Sequence, residues 1–98
     1  MVMDVKKIKW SWVTIDQVVH NKRCILYDTI LIATSGGTAD VAIYDGVNTT
    51  GKKLCKLYAP ASDIRGLHPR VPIFLENGLY IDVGSNVEGV LVLSQGAE

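Results

Sequence analysis

Residues 38–94 alternate between short apolar runs and turn formers. The runs lie at 39–44, 54–58, 73–75 with 79–83, and 90–93, and each is bounded by Gly, Pro, Asn or Asp. Runs of this length between such residues predict consecutive antiparallel strands joined by tight turns. Upstream, Ile8, Trp10 and Trp12 alternate with Lys9, Ser11 and Val13. That period of two predicts a strand with one aromatic side. Such a side serves either as a core or sheet-edge plug or as a docking face, since aromatics anchor interfaces. Residues 16–19 continue the strand pattern, and His20, Asn21 and Lys22 read as a turn.

The stretches 23–27 and 29–33 are rich in Ile, Leu and Tyr. One long strand with a bulge or kink near Asp28 accounts for them, with two separate strands as the alternative. Residues 34–38 form a flexible turn. In 39–44, Ala39, Val41 and Ile43 share one side, while Asp40, Ala42 and Tyr44 share the other. The loop 45–51 has a glycine near each end and suits a hairpin, with 52–58 as the return strand. Residues 59–70 form the longest irregular stretch, where Pro60, Gly66 and Pro69 exclude a long helix. Pro72 makes 71–75 an edge strand or a strand start. Asn77 and Gly78 after Glu76 predict a type I′ hairpin into 79–83. Gly84, Ser85 and Asn86 turn the chain into a last strand over 88–94. No helical periodicity is sustained. The expectation is an all-β chain of about seven or eight short strands, an antiparallel β-sandwich with jelly-roll-like character. It is read as one domain over residues 1–98, with 1–7 a loose arm and 95–98 a frayed tail.

Composition adds one positive signal. Of the 98 residues, 48% are hydrophobic and 20% charged, so a domain this small has more apolar surface than its core can hide. Ten basic and ten acidic residues leave a net charge of zero. There is no basic footprint for nucleic acid or for an anionic membrane, and no self-repulsion to keep copies apart. Cys24 and Cys55 lie inside strand-like runs and read as reduced, buried thiols, in keeping with a reducing cytoplasm. Residues 1–9 lack the apolar core and cleavage site of a secretory leader. The apolar run 30–33 is too short to cross a bilayer.

The residues that carry chemistry do not converge in the sequence. His20 and His68 are isolated and lie in predicted loops, with none of the spacings that gather metal ligands. Asp40, Asp45, Asp63 and Asp82 are scattered and read as solvated turn carboxylates rather than a calcium loop. A cysteine nucleophile paired with His20 or His68 is disfavoured, because apolar surroundings raise a thiol pKa. Ser35, Gly36 and Gly37 open no helix and so lack a phosphate cradle. Asn48, Thr49 and Thr50 match a glycosylation acceptor by chance. The expectation is a non-enzymatic protein with no catalytic, cofactor-binding or metal-binding residues. Its candidate docking face comprises Trp10, Trp12 and Tyr58, because Trp and Tyr are enriched where proteins meet.

One resemblance goes further. The succession Ala42, Ile43, Tyr44, Asp45, Gly46, a Thr-containing loop, Gly51, Lys52, Lys53, Leu54, then Val71, Pro72, Ile73, Phe74, then Asn77, Gly78, Leu79, Tyr80, Ile81, Asp82, Val83 and a closing strand at 90–93 resembles small virion-associated β-sandwich proteins of tailed bacteriophages and prophages. The resemblance covers residues 31–93 and excludes the two tryptophans. It implies a structural virion component: a capsid decoration protein, a head-fibre or spike module, or a tail-associated protein. It implies no catalytic residues, location in the virion after synthesis in the host cytoplasm, and the major capsid protein or another virion protein as partner. It also implies self-association, with a trimer favoured. Docking would proceed by burial of apolar and aromatic surface, with sheet-edge pairing as an added route. The alternative is a carbohydrate- or receptor-binding module of a tail fibre or spike, presenting Trp10, Trp12 or Tyr58 to a sugar ring.

Overall fold

The computed structural model describes residues 7–96. The arm expected over residues 1–7 lies outside them except for Lys7. Nine strands are present among the described residues: β1 Lys9–Val13, β2 Gln17–His20, β3 Cys24–Ala33, β4 Ala39–Asp45, β5 Lys52–Ala59, β6 Ile64–Leu67, β7 Ile73–Leu75, β8 Leu79–Val83 and β9 Val87–Gly96. All pairings are antiparallel. They form a front sheet in the order β1-β9-β3-β6, with β7 also on β3, and a back sheet in the order β2-β8-β4-β5. The shortest dimension, 19 Å, is that of two sheets stacked about 10 Å apart plus their outer side chains.

The chain is therefore an all-β sandwich, as its turn signals predict. Nine strands occupy eight positions. β6 pairs with Thr29, Ile30, Leu31 and Ile32, whereas β7 pairs with Cys24, Ile25 and Leu26. The two lie in line along one edge of β3, as a single edge strand interrupted by residues 68–72. With β6 and β7 counted together, each sheet has four positions, and the strand order is that of a jelly roll. β6 corrects the expectation that 59–70 is irregular throughout. Its four residues lack period-two apolarity, and β3's exposed edge recruits them by backbone pairing.

Among the described residues, β4 and β5 are the one pair of successive strands that bond to each other. Every other connection passes between sheets or continues an edge. The hairpin predicted at Glu76, Asn77 and Gly78 is thus corrected: β7 belongs to the front sheet and β8 to the back. Asp45 explains the difference. Its carboxylate accepts the Asn77 N–H at 2.9 Å and the Glu76 N–H at 3.4 Å, pinning the corner to the end of β4. Gly78 adopts φ 137° rather than a type I′ angle, and its backbone lies against the carbonyls of His20 and Gly46. A Cβ there would sit 2.5 Å from the His20 oxygen, so the close approach demands glycine.

β3 is one ten-residue strand, and its register against β9 slips between Leu26 and Asp28. That is the bulge expected near Asp28. Gln95 and Gly96 are not frayed: they pair with Ile25 and Cys24 at the end of β9. Residues 97–98 lie outside the described residues. His20, expected in a turn, closes β2. The core is built from the inward side chains of both sheets, with Leu26, Leu31, Val90 and Val92 facing Val41, Ile43, Leu79 and Ile81, all fully buried. Each such side chain contributes roughly 1.5–3 kcal/mol on burial.

Candidate docking surface

Strand parity decides which side chains face outward. Val13 pairs with Val90, and both are fully buried. Because side chains alternate, Trp10 and Trp12 must then point away from the core. Trp10 is 70% exposed and Trp12 44%. Val13 occupies the inward side, so neither indole is a core plug; both stand on the outer side of an edge strand.

The same parity runs across the whole front sheet. Trp12 pairs with Leu91, Leu91 with Ile30, and Ile30 with Gly66. Trp10 pairs with Leu93 and Leu93 with Asp28; Ile32 pairs with Ile64, and Ile25 with Phe74. All of these lie on the outer side. Ile64 is 56% exposed and Phe74 51%. β3 and β9 are thus apolar on both sides, a pattern ordinarily found in strands covered on both faces. The Trp12 indole lies on Gly89, where any Cβ would collide with it. A polar pair sits in this apolar field: His68 Nδ1 lies 2.6 Å from Asp28 Oδ1, with the imidazole over Gly66. Nearby, the Tyr27 hydroxyl donates to Gln95 Oε1 at 2.8 Å.

The back sheet presents a different outer face. Asp40, Tyr44, Lys53, Lys56, Tyr58, Tyr80 and Asp82 share it by register. Lys56 Nζ lies 3.5 Å from Asp40 Oδ2 and 5.4 Å from the Tyr58 ring centroid. Tyr58 and then Asp40 hold the Lys56 ammonium above its ordinary pKa. Burial, followed by the neighbouring Asp16, pushes Asp82 up. The carboxylates also serve the backbone: Asp16 accepts the Val83 N–H at 2.8 Å, and Asp40 the Ser85 N–H at 3.1 Å. A cleft of about 250 Å³ opens between β5 and β7, lined by Lys52, Lys53, Leu54, Ile73 and Phe74 among others.

The three residues singled out from the sequence are therefore not one face. Trp10 and Trp12 sit together on the edge strand β1 of the front sheet. Tyr58, 59% exposed, stands on β5 at an edge of the back sheet. Ile30, Ile32, Ile64, Phe74, Leu91 and Leu93 belong to the apolar face and were not singled out. The signal for four of them was present in the unbroken apolar runs at 30–33 and 90–93.

The thiols and imidazoles are occupied structurally. Cys24 is fully buried, and burial, then the Asp45 carboxylate, pushes its pKa up to about 11. Burial likewise raises Cys55, which is half-buried. Both thiols are thereby held protonated near neutral pH. His20 Nε2 is 2.8 Å from the buried Ser94 Oγ, and burial lowers its pKa.

The chain matches no family model, no curated protein and no solved structure.

Proposed function

We propose that the protein is a non-enzymatic structural component of a bacteriophage virion, a capsid decoration or head-associated protein that docks on the shell and self-associates. The observation that supports this is the outer face of the front sheet. It is apolar across four strand positions and carries two exposed tryptophans. Contiguous apolar patches of this kind mark interaction surfaces, here for a second copy or another virion protein. The partner is the major capsid protein or another virion protein, and the place of action is the virion. Jelly rolls occur in viral capsid domains, which is support by fold analogy.

The test is density-gradient purification of virions from the phage or induced prophage that carries the gene, followed by protein mass spectrometry. The chain is expected in the particle fraction at a fixed ratio to the capsid protein. Its absence there, with the chain present in the lysate, refutes the reading.

The second reading is carbohydrate or receptor binding, and Tyr58 favours it. Its exposed ring stands beside Asp40 and Lys56, an aromatic and polar mixture suited to a sugar. Lectin domains share the architecture. Lys56 already lies over the Tyr58 ring, so a sugar must displace that ammonium or take the opposite side. Glycan-array binding abolished by Tyr58→Ala would establish this reading over the first.

A further inference from the structure

We infer that the outer face of the front sheet is where two copies of this chain meet, sheet against sheet about a two-fold axis. This rests on the self-associating role proposed above and names both the surface and its occupant.

Area makes the first argument. β3 and β9 are each ten residues long, which is about 33 Å of strand. The outer positions are shorter, 5 residues in β1 and 4 and 3 in β6 and β7, so with strands about 4.8 Å apart the face covers on the order of 500 Å² before side-chain relief is counted. A standard interface takes about 800 Å² from each partner, and weaker specific ones take less. One face per copy therefore meets the need of a dimer at the lower end of that range. Trp10 and Trp12 supply much of the relief, being the kind of rigid aromatic that dominates interface energetics.

Charge makes the second. Asp28 and His68 bond to each other within one copy, so neither needs a partner from the second. The other outward residues are mostly apolar, and Gln95 bonds Tyr27 within its own copy. Two such faces bring few charged groups together, and a charged partner finds little to recognise. The zero net charge of the chain removes repulsion between copies.

Two of the four sheet edges are guarded against strand addition. The β5 edge carries Lys52, Lys53 and Lys56, and the β6–β7 edge is broken at 68–72 by a stretch that holds Pro69 and Pro72. Both are devices that guard an edge against strand addition. A three-fold ring needs two different complementary patches on each copy. The back sheet offers charged groups where the front sheet needs apolar ones. An isologous pair needs only the one face, and it leaves the back sheet and the loops free for the virion.

Trp10 and Trp12 are the only tryptophans in the chain, and both stand on this face, so their fluorescence reports its burial. The experiment is light scattering on the full chain combined with tryptophan emission and acrylamide quenching across a dilution series. At high concentration the mass of two chains is expected, with shielded indoles. Dilution should bring the mass of one chain, a red-shifted emission and a severalfold rise in quenching. Trp10→Lys and Phe74→Lys alter exposed side chains and should leave the circular dichroism and melting temperature near wild type. Each should weaken pairing at least about tenfold, the loss expected of an interface anchor. Four results would overturn the assignment: a monomer up to roughly millimolar concentration, where even weak interfaces populate; a three-chain mass; a dimer whose indoles stay freely quenched; or folded variants that pair as wild type does. A chain that stays monomeric yet is found in virions overturns the pairing and leaves the virion role standing. A chain that pairs but is missing from virions supports the pairing and removes the role.

Discussion

Thr29 offers the sharpest test of the packing described. It lies mid-strand in β3, opposite Val92 and Leu67, and is fully buried. Its Oγ1 has no hydrogen-bond partner among the described residues. A hydroxyl taken out of water without a partner costs about 1–3 kcal/mol. Thr29→Val keeps the branched Cβ that a strand favours and replaces the hydroxyl with a methyl of similar size. The methyl adds apolar burial instead of a desolvation penalty. A net gain of about 1–2 kcal/mol is expected. For a domain of this length, 1 kcal/mol moves the melting temperature by about 4–8 °C. Thr29→Val should therefore melt roughly 5–10 °C above wild type by calorimetry, with the urea midpoint rising and its slope unchanged. Thr29→Ala separates the two contributions, because it removes the hydroxyl and also leaves a methyl-sized gap. It should fall below Thr29→Val. A Thr29→Val protein that melts at or below wild type would refute the reasoning, since the hydroxyl must then be satisfied in solution.

Three further predictions concern particular groups. Asp45→Ala frees the Glu76 and Asn77 N–H groups at the sheet-crossing corner and should cost about 1–2 kcal/mol in urea unfolding, with Asp45→Asn losing less. Burial holds His20 below its ordinary 6.5, so the folded state binds fewer protons than the unfolded one. The stability this contributes is full above pH 6.5 and is lost as pH falls toward the lowered pKa. Melting temperature should drop more steeply on acidification in wild type than in His20→Gln. Cys24, pushed from 9.0 to about 11, has the opposite sign: its contribution is full below pH 9 and is lost as pH climbs to 11. Cys24→Ala should flatten that alkaline loss, and in the native protein at pH 8 a disulfide-exchange reagent should titrate Cys24 only after denaturant is added.

How far the exposed aromatic and apolar residues could be read in the sequence differs from one to the next. Trp10 and Trp12 were visible as a two-residue repeat, but the repeat leaves open which side is buried. Only the pairing of Val13 with Val90 turns the indoles outward. Tyr58 was visible as an aromatic in a strand, yet nothing local separates it from the tryptophans by the thickness of the sandwich. The outward members of β3 and β9 were hidden for another reason. A run apolar on both sides reads as core throughout, and the half that is uncovered emerges only when the second sheet is seen to cover one side.

Local chemistry determined the strand content, the bulge at Asp28, the β4–β5 hairpin and the absence of helical periodicity. These depend on period-two patterning and on glycine, proline and asparagine, which act within a few residues. Sheet membership was decided by tertiary structure alone. Asn77 and Gly78 make a turn in either case, and Asp45, distant in sequence, turns it into a crossing between sheets. β6 has little strand signal of its own and exists because β3 presents an open edge. The apolar face arises in the same way: its residues are scattered along the chain from Trp10 to Leu93, and strand register assembles them into one surface.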